Sequence, residues 1–184
     1  LPPPMDPASL PTVIHVRPLK QSRSLSLQWY LPSQQSRAHM QCRPCDLVGH
    51  LLGHEGGGSV LALLKRSGLA TGLSAGLEEG DSTSAAALFR VSIDLTPAGI
   101  LAVDACVRAV FSAVGRLQAV GGVALESLWD ELRDVAQLCF RFAEDEDECS
   151  YVRRVAMAMQ HRHEPRRTLS GEALYGEYRA SLVD

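Results

Sequence analysis

Leu88-Phe-Arg-Val-Ser-Ile-Asp-Leu95, followed at once by Thr96-Pro97, decides the fold class of this chain. Alternate residues of a strand share a face, so Phe89, Val91, Ile93 and Leu95 turn one way while Arg90, Ser92 and Asp94 turn the other. A strand apolar on one face only belongs to an antiparallel sheet, because a parallel strand buried on both faces reads as a continuous apolar run. Thr96 as N-cap and Pro97 at the first helical position then predict a long helix. Ile100, Leu101, Val103, Cys106, Val107, Val110, Phe111, Val114 and Leu117 carry its periodicity as far as Gly121-Gly122.

Upstream, residues 69–78 read as the strand paired with 86–95 through a Gly80-Asp81-Ser82 turn. A helix over Pro44–Gly53 buries Leu47, Val48, Leu51 and Leu52, and a shorter one over Ser59–Arg66 ends at Gly68. Residues 33–41 read as a polar loop, and Val13–Arg17 and Ser24–Leu31 as two further strands ended by Pro18 and Pro32. Downstream, residues 123–142 form an amphipathic helix with Leu125, Leu128, Trp129, Leu132, Val135, Leu138, Cys139 and Phe142 on its apolar side. The acidic run Glu144–Glu148 reads as a solvated linker or helix start before a helix over Ser150–Gln160, and a last helix is expected over Ser170–Leu182. The sum is an α+β domain over 12–184 with an antiparallel sheet and helices on one of its faces, after a proline-rich leader at 1–11.

Composition bounds the function. With 184 residues, 46% of them hydrophobic and 21% charged, the chain reads as an ordinary globular domain, or as a piece of something larger, since its start at Leu1 resembles no initiator or signal context. A net charge of -3 and dispersed Lys and Arg argue against a nucleic-acid partner; the one basic cluster, Arg162, His163, Arg166 and Arg167, reads as a solvated turn. No run of about 18 apolar residues exists, so no membrane partner is expected. Five cysteines, an odd number, argue for reduced thiols, with Cys106 and Cys139 as small core residues; the compartment stays open, with the cytoplasm slightly favoured.

The stretch least like generic core or surface is Gly49-His-Leu-Leu-Gly-His-Glu-Gly-Gly-Gly-Ser59. His50 and His54 stand four apart on a helix, as in zinc peptidases, but the positions where such enzymes carry their base hold Leu51 and Gly53. Glu55 lies roughly 140° around the helix from His50, poorly placed to serve a metal held by both histidines. Cys42, Cys45, His50 and His54 together have knuckle-like ligand spacing, yet the His-bearing stretch is an apolar helix stripe rather than a loop. Cys42-Arg-Pro-Cys45 has redox spacing without the preceding strand. Recognition is the other reading: accessible backbone at the helix end, a carboxylate at Glu55, and a small-residue strand Thr71-Gly-Leu-Ser-Ala-Gly76 to which an extended peptide could add. The plain alternative is a tight helix-to-helix turn made of glycines.

Taken together, Gly49–Ser59, the following Leu-Leu-Lys-x-x-Gly, the Asp94-Leu-Thr-x-x-Gly99 junction and the Phe140-Arg-Phe142 helix end resemble the insulin-degrading enzyme branch of the M16 metallopeptidases, the inverzincins. The similarity runs from about Val13 to Leu182, with the motifs in order. It implies the M16-like α/β roll, and a non-catalytic domain that follows the catalytic one in the amino-terminal half of a zinc metalloendopeptidase. The family's His-x-x-Glu-His motif occurs nowhere; His161-Arg-His163-Glu164 has the wrong order. The resemblance therefore implies a chain inactive alone, with no cofactor of its own and the zinc in the parent's catalytic domain. Its partners would be peptide substrates and the other domains of the same peptidase. It also implies an exosite for the substrate's amino terminus on His50, Gly53, Glu55, Leu73 and Ala75, with Glu55 receiving the ammonium group and the backbones around Gly53, Leu73 and Ala75 bonding the peptide. The chain departs from the family at Ala75, where glycine is usual, and at Leu77, where a polar residue is usual. The alternatives are a structural subunit of an inactive parent and a small zinc-knuckle module.

Overall fold

The computed structural model describes residues 10–19, 21–32, 37–82, 86–161, 165–170 and 173–183. Its elements are β1 (Ser24–Pro32), α1 (Arg37–Cys42), α2 (Pro44–Gly53), α3 (Val60–Arg66), β2 (Ala70–Ser82), β3 (Ala86–Leu95), α4 (Val103–Val120), α5 (Glu126–Arg141), α6 (Glu148–His161) and α7 (Pro165–Ser170). The architecture is α+β: an antiparallel sheet with helices packed against it. The chain divides into two compact units, one made of residues 1–34 with 48–119 and the other of 35–47 with 120–184.

The first unit holds the three-stranded sheet, in the order β1-β3-β2. Its registers set Leu27 opposite Val91, Leu25 and Leu73 opposite Ile93, Ala75 opposite Val91, and Trp29 and Leu77 opposite Phe89, so the alternating apolar residues share one face. On that face Phe89, Val91, Ile93 and Leu95 are buried, together with Val60, Leu61 and Leu64 of α3 and Cys106, Val110 and Ala113 of α4. Trp29 packs edge-on to both Phe89 and Phe111, which ties α4 to the same side. The opposite face carries Ser26, Gln28, Ser74, Ser92 and Asp94, and is polar as expected from the one-sided pattern.

The second unit gathers around Trp129 of α5, whose indole N–H donates to the Cys42 carbonyl and whose ring meets Tyr175 and Tyr178. Trp129, Cys42, Pro44 and Leu47 are its buried apolar side chains among those described. Arg43, in the left-handed region at φ 51°, turns the chain from α1 into α2; its guanidinium pairs with Asp46 and lies over the Tyr175 ring.

Several expectations are corrected. Val13–Arg17 forms no strand: Val13, Ile14 and Val16 lie exposed, with no partner strand to reward their β propensity. The polar loop at 33–41 gives way to helix α1 from Arg37. Residues 80–82 belong to β2 rather than to a turn; residues 83–85 lie outside the described set. Thr96 is not the N-cap of α4: its Oγ1 accepts the Gly99 N–H at 3.0 Å just ahead of a 3-10 turn over Gly99–Leu101 whose N-cap is Ala98, and α4 begins only at Val103. Gly99 is pressed so closely against the Leu69 carbonyl that no side chain would fit, and this contact fixes the turn before the helix can start. The helix expected over Ser170–Leu182 is absent from 173–179, where Gly176 N–H donates to the Gln41 carbonyl and the Tyr178 hydroxyl to the Gly122 carbonyl; only Ala180–Leu182 is helical, as a 3-10 turn. Long-range bonds to Trp129's surroundings outweigh local propensity there. Cys106 is core, but Cys139 is exposed, together with Val135, Leu138 and Phe142 on the side of α5 read as buried. Side chains of Arg162, His163, Arg166 and Arg167, the His161–Glu164 motif and most of the leader lie outside the described residues. No helix among the described residues is long and apolar enough to cross a membrane.

Candidate functional site

The site is built where α2 meets β2. Gly49 and Gly53 stand one turn apart on α2 and both face the backbone of β2. A Cβ at Gly49 would lie 3.0 Å from the Ala75 carbonyl oxygen and 3.2 Å from the Gly76 Cα, whereas one at Gly53 would lie at an ordinary 3.5 Å from the Ala75 nitrogen. Glycine at 49 is thus required by close approach, and at 53 it only leaves room. Among the described residues β2 is an edge strand, with its outer backbone groups not paired with another strand in the sheet.

The turn that leaves α2 carries the charged group. Glu55 is exposed just past the helix end, before Gly56, Gly57 and Gly58, the last at φ 86°. Ser59 then starts α3 by accepting from the Ala62 N–H at 3.0 Å. This places Lys65, in the last turn of α3, with its Nζ 3.7 Å from the Glu55 Oε2. Leu73 is buried and its backbone lies on β2 opposite Ile93; Ala75 is half-buried. Of the residues expected from the sequence, Gly53 and Ala75 are brought into direct proximity, and Leu73 lies on the same strand as Ala75. His50 is exposed on the last turn of α2 and its ring sits 6.2 Å from that of His54, centre to centre. Lys65 was not anticipated. Ten positions from Glu55, it meets that residue only because the glycine turn folds α3 back, and the glycines are the only local signal of that reversal.

The donor set does not fit a catalytic metal. His54 Nδ1 accepts the Gly56 N–H at 3.1 Å, Cys42 turns its thiol toward the Arg179 carbonyl at 3.7 Å, and among the described residues no three His, Cys, Asp or Glu side chains come together to hold an ion. Burial pushes both thiols up, Cys45 to about 11 with Asp46 adding to the shift, which is the opposite of what a redox thiolate requires. What the arrangement offers is hydrogen-bonding backbone and one exposed carboxylate.

Residues 1–123 match the family model of the peptidase M16 inactive domain. Insulin-degrading enzyme-like 1, peroxisomal, of Arabidopsis thaliana is 36% identical over 151 residues, covering 82% of this chain and 15% of that protein. The A-factor-processing enzyme of Saccharomyces cerevisiae is 30% identical over 180 residues, 97% of this chain and 17% of its own length. Human insulin-degrading enzyme is 29% identical over 181 residues, with 98% and 17% covered. The crystal structure of pitrilysin shares the fold, with a TM-score of 0.77 at 24% identity over 88% of this chain and 17% of that one. The chain therefore spans 15% to 17% of the length of these relatives. The matched family model and the α+β roll agree, and the chain belongs to the family of the M16 peptidase inactive domain.

Proposed function

We propose that this chain is a non-catalytic domain of a longer M16 peptidase-like protein, following the catalytic domain in its amino-terminal half, and that its own chemistry is recognition. An extended peptide adds to the outer edge of β2 at Leu73 and Ala75, beside Gly53, and its amino terminus reaches Glu55. The observation that carries this reading is the contact of Gly53 with Ala75, which joins a strand edge to a helix end whose next turn bears an exposed carboxylate. Anchoring one end of a peptide raises the effective concentration of its distant scissile bond at a catalytic centre without chemistry at the anchor. Zinc and base belong, in this reading, to another domain; His-x-x-Glu-His is absent from the sequence. Other domains of the longer protein would cover the apolar residues that α5 and α6 leave exposed, Phe142 and Met159 among them.

Two observations favour a second reading, in which the domain is a structural part of an inactive parent. Glu55 already pairs with Lys65, and Ala75 carries a methyl group 3.8 Å from where a Gly53 side chain would begin. The test is the full-length protein carrying Glu55→Gln, assayed on a long peptide and on a short reporter. Anchoring predicts a loss on the long peptide of roughly tenfold, the worth of one desolvated charge-assisted hydrogen bond, with the reporter unaffected. Equal losses on both, or no activity in the wild-type protein, favour the structural reading.

A further inference from the structure

We propose that Lys65 is a built-in competitor for the peptide's ammonium group at Glu55, and that this ion pair sets how tightly the site holds an amino terminus; the inference rests on the anchoring reading above. A lysine side chain and a peptide amino terminus present the same chemistry, an ammonium with three N–H donors. Lys65 already places its ammonium 3.7 Å from the Glu55 Oε2. Its starting point is fixed, because α3 is capped by Ser59 and its Ser67 N–H closes on the Leu63 carbonyl. The pair is open to solvent: the Glu55 and Lys65 side chains are 70% and 47% exposed, and a Cβ at Gly57 or Gly58 would meet open space. An arriving peptide therefore finds a like charge already beside its carboxylate.

The same exposure sets the size of the effect. A solvent-exposed ion pair is weak, so Lys65 lowers affinity without closing the site, by about two- to fivefold. A neutral residue at this position would make a tighter anchor for every amine alike, since a shared competitor changes affinity and not the difference between ligands.

The experiment is fluorescence anisotropy on this chain with a short extended peptide labelled at its carboxyl end, in free-amine and acetylated forms. Lys65→Gln should tighten binding of the free-amine peptide about two- to fivefold and leave the acetylated peptide unchanged, while Lys65→Arg, which keeps the charge, should match the wild type. Unchanged or weaker binding of the free-amine peptide to Lys65→Gln overturns the competition. Failure of the anchoring reading looks different: the wild-type chain would bind both peptide forms equally and Glu55→Gln would change neither, and the competition would fall with it.

Discussion

The two units spend their apolar residues differently. In the sheet-bearing unit, Leu61, Leu64, Val91, Ile93, Cys106 and Val110 are almost wholly buried against one another. In the other, Trp129, Cys42, Pro44 and Leu47 are the buried apolar side chains among the described residues, while Val135, Leu138, Phe142, Met157 and Met159 lie exposed. Polar bonds accompany that burial in the second unit: the Trp129 N–H on the Cys42 carbonyl, the hydroxyl of Tyr175, whose ring meets Trp129, 3.4 Å from Asp46, and the Gly176 N–H on the Gln41 carbonyl. Burial and Asp46 push the Tyr175 hydroxyl up to about 12, so it keeps its proton and remains a donor across neutral pH. A unit with few buried apolar side chains is more exposed to single substitutions than one whose core is shared among many.

The largest expected effect breaks that contrast directly. Trp129→Ala should cost about 3–5 kcal/mol, as removal of a fully buried aromatic does. Because the chain has two tryptophans, one in each unit, the fluorescence of Trp29 then reports the sheet-bearing unit alone. Its urea midpoint should stay near the wild-type value while helical circular dichroism falls at lower urea; coincident loss of both signals would show that the units do not differ in this way.

A smaller effect sharpens the contact between α2 and β2 within the first unit. Gly49→Ala forces a methyl group to 3.0 Å from the Ala75 carbonyl oxygen and should destabilise by about 1–3 kcal/mol, whereas Gly53→Ala meets only ordinary contact distances and should stay within about 0.5 kcal/mol of wild type. Thermal melts of both variants check the pair, and equal midpoints would mean that the helix moves freely over the strand.

The smallest concerns the exposed start of α6 in the second unit. Hydrogen bonds from Ser150, its N–H at 3.0 Å from the Asp147 Oδ1, hold the Asp147 carboxyl below its ordinary value. A carboxyl depressed in the fold supports that helix start at every pH above its unfolded value and gives up the support as pH falls through the lower, folded value. Acid titration followed by the Ser150 amide shift should therefore show a loss only on the acid side, and Asp147→Asn should flatten it.

Much of the first unit was legible because strand alternation and glycine punctuation are local signals. Ala86–Leu95 appears with the bounds its pattern predicts, and Pro44–Gly53 likewise, since Pro at the first helical position and the glycines beyond the end mark both termini. The second unit was less so. Leu138 and Phe142 carry a helical period, but periodicity says which side is apolar and not what covers it. Tyr175 and Tyr178 look helical locally and are drawn into an extended path by Trp129, far off in sequence. At the candidate site, the α2 end and the β2 strand could be read locally, but joining Gly53, Glu55, Leu73 and Ala75 into one site rests on the family resemblance, and the Glu55–Lys65 pair depends on how a glycine turn aims α3, which no residue pattern states.

The central claim is that the β2 edge and Glu55 together grip a peptide by its amino terminus. Amide hydrogen exchange of this chain, measured with and without saturating peptide, tests it most directly. The account predicts slower exchange over Leu73–Ala75 with a free-amine peptide, and little change with its acetylated form or in Glu55→Gln. Exchange at Leu73–Ala75 that is unchanged by the free-amine peptide, or slowed equally by both forms, would contradict it.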